Sequence, residues 1–90
     1  MLFMVIETFK PGTVPLIYRR LRDEGRSLPD GLTYGGSWIE ANFGRCFQLM
    51  ECDDARLLQS WVLSWGDLLE AEIVPVVPSS DVQQIVQPFL

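Results

Sequence analysis

The sequence predicts an α+β fold in which four strands and two helices follow one another as β-α-β-β-α-β. Three observations carry this reading. Residues 2–9 are apolar on both parities and rich in β-branched and aromatic side chains, as befits a strand covered on both faces. Two later stretches, Val14-Ile17-Tyr18-Leu21 and Leu58-Trp61-Val62-Trp65-Leu68-Leu69, repeat apolar residues at the spacing of one helical face. Between them, two strand-like runs at 32–41 and 45–52 are separated only by Asn42-Phe43-Gly44.

The boundaries follow from local chemistry. Lys10-Pro11-Gly12 ends the first strand, Thr13 is placed to cap the first helix, and Pro15 is tolerated in a first turn. Arg19, Arg20, Arg22, Asp23 and Glu24 form that helix's solvated face, which ends near Gly25 before the loop Leu28-Pro29-Asp30-Gly31. Asp53-Asp54 provides a second cap. The second helical stripe then runs on for more than three turns to Leu69, its two tryptophans reading as core packing. Ala71 to Val77 is the fourth strand, confined to an edge or a bulge by Pro75. Ser79-Ser80-Asp81 starts a short helical tail through residue 90, apolar enough at Val82, Ile85, Val86, Phe89 and Leu90 to need a covering surface.

The hairpin between the second and third strands admits two registers. A three-residue loop with glycine in the left-handed position sets Glu40 opposite Cys46, Trp38 opposite Gln48, and Gly36 opposite Met50. Tyr34, Trp38, Glu40, Cys46, Gln48 and Met50 then share one face, and Ile39, Phe47 and Leu49 share the other. Gly35 and Ser37 would leave room there for a helix. A two-residue loop shifts the pairing by one and sets Glu40 opposite Arg45. The first register is preferred because it gathers the aliphatic residues on a single face.

Ninety residues make one domain, and 48% hydrophobic with 21% charged residues is globular composition. Twelve acidic against seven basic residues, a formal charge of -5, argue against nucleic acid as a partner. The chain has no histidine and two cysteines. That removes histidine-based triads, histidine-ligated haem and the usual zinc sites, so no cofactor and no metal are expected. The apolar start, Met1 to Ile6, is too short for a secretory core, and no run approaches a membrane span; a soluble cytoplasmic protein is expected. Cys46 and Cys52, six apart in one strand, would lie roughly 20 Å from each other, too far for a disulfide. They read as buried reduced thiols.

Strand order 4-1-3-2, with both helices on one face, is the ferredoxin-like solution for this element order. It leaves the other sheet face bare, with Trp38, Met50 and one parity of the first strand among its occupants. Pairing with a second copy is the simplest cover, with residues 79–90 completing it on the same subunit or on the partner.

Met1 to Phe9, Tyr18-Arg19-Arg20-Leu21-Arg22, Gly25-Arg26-Ser27-Leu28-Pro29, Ser37-Trp38, Arg45-Cys46-Phe47-Gln48-Leu49-Met50-Glu51 and Trp61 through Trp65-Gly66-Asp67-Leu68 resemble a family of small bacterial proteins, domain of unknown function 3303. The likeness spans nearly the whole chain, and the run at 45–51 is its most specific part. It implies the dimeric α/β-barrel architecture, two ferredoxin-like sheets face to face, and implies no activity.

Two functions remain in view. In the first, a small organic molecule sits in a pocket on the inner sheet face lined by Tyr34, Trp38, Glu40, Cys46, Gln48 and Met50. The aromatics would stack, Gln48 would donate and accept, and Glu40 could serve as a base in an enzyme needing neither cofactor nor histidine. The plainer account has Gln48 bonded to backbone or partner and Glu40 solvated at a strand end. In the second, a non-catalytic dimer presents a surface to another protein. Glu7, Glu70, Glu72, Asp53 and Asp54 match no calcium loop and read as solvated acids, and Gly35-Gly36 as close backbone packing rather than a phosphate loop.

Overall fold

Leu2–Phe9 forms strand β1, and hydrogen-bonding partners lie on both of its sides in a computed structural model that describes residues 1–90. The remaining elements are α1 (Val14–Glu24), β2 (Thr33–Ile39), β3 (Arg45–Glu51), α2 (Ala55–Ser64), β4 (Leu69–Val76), α3 (Ser79–Val86) and a 3-10 turn at Gln87–Phe89. The sheet order is β2-β3-β1-β4 with every ladder antiparallel, which is the expected 4-1-3-2 read from the other edge. β4 is an edge strand, so Pro75 costs no ladder bond on its free side.

Phe3 and Val5 of β1, Met50 of β3 and Leu69 of β4 meet Ile17 of α1 and Leu58 and Trp61 of α2 in one buried cluster, so both helices cover one sheet face. Cross-strand pairing extends that face: Val5 opposes Gln48 and Ile73, and Glu7 opposes Cys46 and Ala71. The opposite face carries Leu2, Met4, Ile6, Phe47, Leu49 and Val74, each half-buried, with Trp38 59% exposed beside them.

Local capping differs at the two helices. Asp54 accepts a hydrogen bond from Arg56 N at 3.0 Å, the cap expected there. Thr13 occupies the cap position of α1 without capping it. Its hydroxyl lies 2.7 Å from the Lys10 carbonyl and 3.0 Å from that of Leu68, tying the β1–α1 loop to the start of β4. The second helix is shorter than its stripe. It stops at Ser64, and Leu68 and Leu69 belong to the following turn and strand. The Lys10 ammonium holds the Gly66 carbonyl at 2.9 Å, and Lys10 N donates to Leu68 O, so tertiary bonds capture backbone that helical spacing alone would have kept in the helix.

The hairpin register is the one set aside above. Ile39 opposes Cys46, Ser37 opposes Gln48, and Trp38 opposes Phe47. The connection is residues 41–44, in which Phe43, not Gly44, takes the left-handed conformation at φ 64°. Glu40 O accepts from Phe43 N, Glu40 N donates to Arg45 O, and Asn42 Oδ1 accepts from Gly44 N. The Arg45 guanidinium bridges Glu40 at 2.9 and 3.1 Å, fastening that register at the strand ends. A bulge at Gly35 also changes parity within β2: Tyr34 opposes Met50, then Gly36 opposes Leu49. A Cβ on Gly35 would approach Leu49 O at 3.3 Å, and Gly36 sits at φ 138°, so the glycine pair is backbone packing. Trp38 and Met50 therefore lie on opposite faces, with Phe47 and Leu49 outward and Ile39 inward.

Every residue from Val77 to Leu90 is exposed, Phe89 by 85% and Leu90 by 90%. The tail thus leaves the open face of its own sheet uncovered. No helix is long and apolar enough to cross a membrane.

Leu58 is fully buried in the cluster, whereas Leu63 on the same helix is 80% exposed. Leu58→Ala is expected to cost about 3 kcal/mol in urea denaturation, and Leu63→Ala to stay within about 0.5 kcal/mol.

Candidate functional site

A cavity of about 140 Å³ lies between the covered sheet face and the two helices. Its floor is made by side chains that alternation sends to that face: Glu7 from β1, Ser37 and Ile39 from β2, Cys46 and Gln48 from β3. Ile17, Tyr18 and Leu21 of α1 form one wall, and Trp61 with Trp65 another. Arg26 enters from the loop after α1.

That loop is clasped from α2. The indole nitrogens of Trp61 and Trp65 both donate to the Arg26 carbonyl, at 2.8 and 3.3 Å. The two tryptophans are thus core residues, as expected, and also line the cavity and position Arg26. The Arg26 guanidinium carbon stands 3.6 Å from the centroid of the Tyr34 ring, and the Tyr34 and Ser37 hydroxyls share a 2.7 Å hydrogen bond. Arg26 Nε is buried and makes no hydrogen bond within the protein. The four ion pairs of the chain use Arg20, Arg22, Arg45 and Arg56, so the Arg26 charge stands outside all of them.

The sequence pattern predicts a solvated Glu7 near a strand end, and the structure corrects this: the residue is 6% exposed. The physical reason is parity, since Glu7 follows Phe3 and Val5 onto the helix-covered face. Burial pushes its carboxyl above the usual range, an effect eased by the Cys46 thiol opposite and by the Arg26 charge. The Cys46 thiol is pushed up to about 12, first by burial and then by the Glu7 charge. At neutral pH it is a thiol and not a nucleophile. Glu70, Glu72 and Asp53 are exposed, as expected.

Of the six side chains expected to line one pocket, the cavity contains Cys46 and Gln48. Gln48 is 5% exposed, and its amide donates to Met50 Sδ at 3.3 Å, a weak acceptor, in place of the backbone bond expected in the plainer account. Tyr34 and Met50 share that covered face, Tyr34 contributing by holding Arg26. Trp38 points away on the open face. Glu40 lies at the hairpin end, its carboxyl held below the ordinary range by Arg45, so it is no base for a cavity on the other side of the sheet.

Sequence reasoning missed Glu7 and Arg26. The signal for Glu7 was present: one acid on the same parity as Phe3 and Val5 within an otherwise apolar strand. Nothing local marks Arg26, whose position comes from two indoles 35 and 39 residues further along.

A raised carboxyl pKa means that the folded chain holds a proton the unfolded chain has released, so this group's contribution to stability falls as pH rises from the unfolded toward the folded pKa. Glu7→Gln is therefore expected to raise the melting temperature at pH 8 relative to the unaltered protein, with the gain vanishing near pH 4; equal gains at both pH values would contradict it. Cys46 is expected to resist maleimide at pH 8 in the folded protein and to react once urea unfolds it, as mass spectrometry of the labelled protein would read.

No curated protein and no solved structure gives a significant match to the chain. One family does, across every element that builds the cavity: over residues 1–90 the sequence matches the family described as Domain of unknown function (DUF3303), and the chain belongs to that family.

Proposed function

We propose that this protein binds a small organic molecule in the cavity between its sheet and its helices. The observation that carries the reading is a buried carboxyl, Glu7, facing a cavity shared with a buried arginine nitrogen that has no protein partner. Desolvating such groups costs free energy, and a buried polar atom without a protein partner calls for one from outside the chain, a water, an ion or a ligand. The size limits the occupant, because a cavity of about 150 Å³ accommodates a benzene ring. A single ring or a branched chain of similar bulk fits; a nucleotide or a haem does not. Binding needs no cofactor, and any catalysis would rest on Glu7, Arg26 and Tyr18 in the absence of histidine.

The protein works, in this reading, as a homodimer through its open sheet faces in the manner of the dimeric α/β barrels, in the cytoplasm of a bacterium. Half-buried Met4, Ile6, Phe47 and Leu49 with exposed Trp38 form a continuous apolar face that favours a second copy. The exposed apolar residues of the tail, Ile85, Phe89 and Leu90, fit a role in gripping that partner. The same face also favours a second function, a non-catalytic dimer that presents its surface to another protein.

Native mass spectrometry of the protein as purified from cells tests both parts. The expected spectrum is a dimer carrying a ring-sized extra mass, lost in Ser37→Leu, whose longer side chain enters the cavity. Phe47→Glu, on the face away from the cavity, is expected to give folded monomers. A protein that carries no small molecule and takes up none of a panel of ring-sized alcohols and acids overturns the binding function and leaves the interaction dimer.

A further inference from the structure

The cavity is not electrically neutral in its demands on a ligand. We propose that its occupant is a small apolar carboxylic acid in its anionic form, the ring or branched body against Trp61, Trp65 and Ile17 and the carboxylate accepting from Arg26 Nε. This rests on the small-molecule reading above and names the ligand class for the same site.

The donors decide the class. Arg26 Nε–H is buried without a protein acceptor, and Arg26 enters none of the ion pairs, its guanidinium resting on the Tyr34 ring. An arginine in that state is satisfied best by an anionic oxygen, which forms a short charge-assisted bond. Glu7 lines the same cavity, and its burial raises its pKa. A neutral carboxyl offers one more O–H donor; an ionised one would repel the ligand and compete for Arg26. The Cys46 thiol stays protonated beside it, so the floor of the cavity adds no negative charge. A cationic or strongly donating ligand would instead leave Arg26 unanswered. The indole and aliphatic walls favour an apolar body, and the volume limits it to about one ring.

Proton linkage follows with a definite sign. Every titratable or charged group facing Glu7 enters it: Cys46 from β3, Tyr18 from α1 and Arg26 from the following loop, while β4 presents Ala71 and α2 presents only indoles. Binding an anion beside Glu7 favours its protonated form, so complex formation takes up a proton. Affinity then falls as pH rises through the Glu7 pKa.

Calorimetric titration of the whole protein with sodium benzoate and with benzyl alcohol, a neutral ligand of the same bulk, tests this. The range starts at about pH 5.5, where benzoate is ionised. The expected result is benzoate binding that weakens with pH, and a pH profile that Glu7→Gln flattens. Arg26→Gln is expected to lower the ratio of benzoate to benzyl alcohol affinity at least tenfold. Benzyl alcohol binding without benzoate binding overturns the anion assignment and keeps the cavity function. A ratio unmoved by Arg26→Gln, or a pH profile unmoved by Glu7→Gln, overturns the assignment as well. Binding of neither ligand overturns both.

Discussion

Which parity of β1 meets the helices is the constraint on which the rest of the structure depends. The strand is apolar on both sides, so burial alone favours either choice. Pairing on both edges transmits the choice across the sheet: Phe3, Val5 and Glu7 inward bring Met50, Gln48 and Cys46 inward on β3, and Ile73 and Ala71 on β4. A one-residue slip would exchange every side chain between the two faces. The observed choice buries an acid under two helices, where it lines the cavity.

The second determinant is a clasp distant in sequence. Trp61 and Trp65 are one helical turn apart, and both indole nitrogens reach the Arg26 carbonyl. Their rings complete the core, while their polar ends fix the loop that delivers a guanidinium to the cavity. Buried indoles need such acceptors, so packing and positioning come from the same two side chains. Stacking on Tyr34 holds the guanidinium, and Tyr34 is itself turned inward by the Gly35 bulge. Site and core are therefore one construction: the groups that could handle a ligand are oriented by residues whose first task is to fill the interior.

The open face stands in contrast. It carries no buried acid, and its half-buried apolar side chains are rimmed by charges such as Arg45, Glu51, Glu70 and Glu72. Its composition suits association, and the charged rim suits a defined partner over indiscriminate sticking. The exposed tail adds further apolar area beyond the end of β4. The cavity and the apolar open face thus lie on opposite faces of one sheet.

The order of elements, the antiparallel sheet with β1 at its interior, the edge position of β4 and the burial of both cysteines were legible in the chain alone. These rest on local periodicity, on proline's missing donor and on distances along a strand, which any fold must respect. The hairpin register, the end of α2 and the membership of the site depend on contacts between elements distant in the chain. Two hairpin pairings were open from local rules, and an aliphatic count favoured the wrong one. The register was settled by the ladder with β1, the Gly35 bulge and the Glu40–Arg45 bridge. Glu7 and Arg26 escaped the reading for the same reason: their burial is conferred by partners remote in sequence, and alternation can reveal that a strand has two faces without saying which one the helices cover.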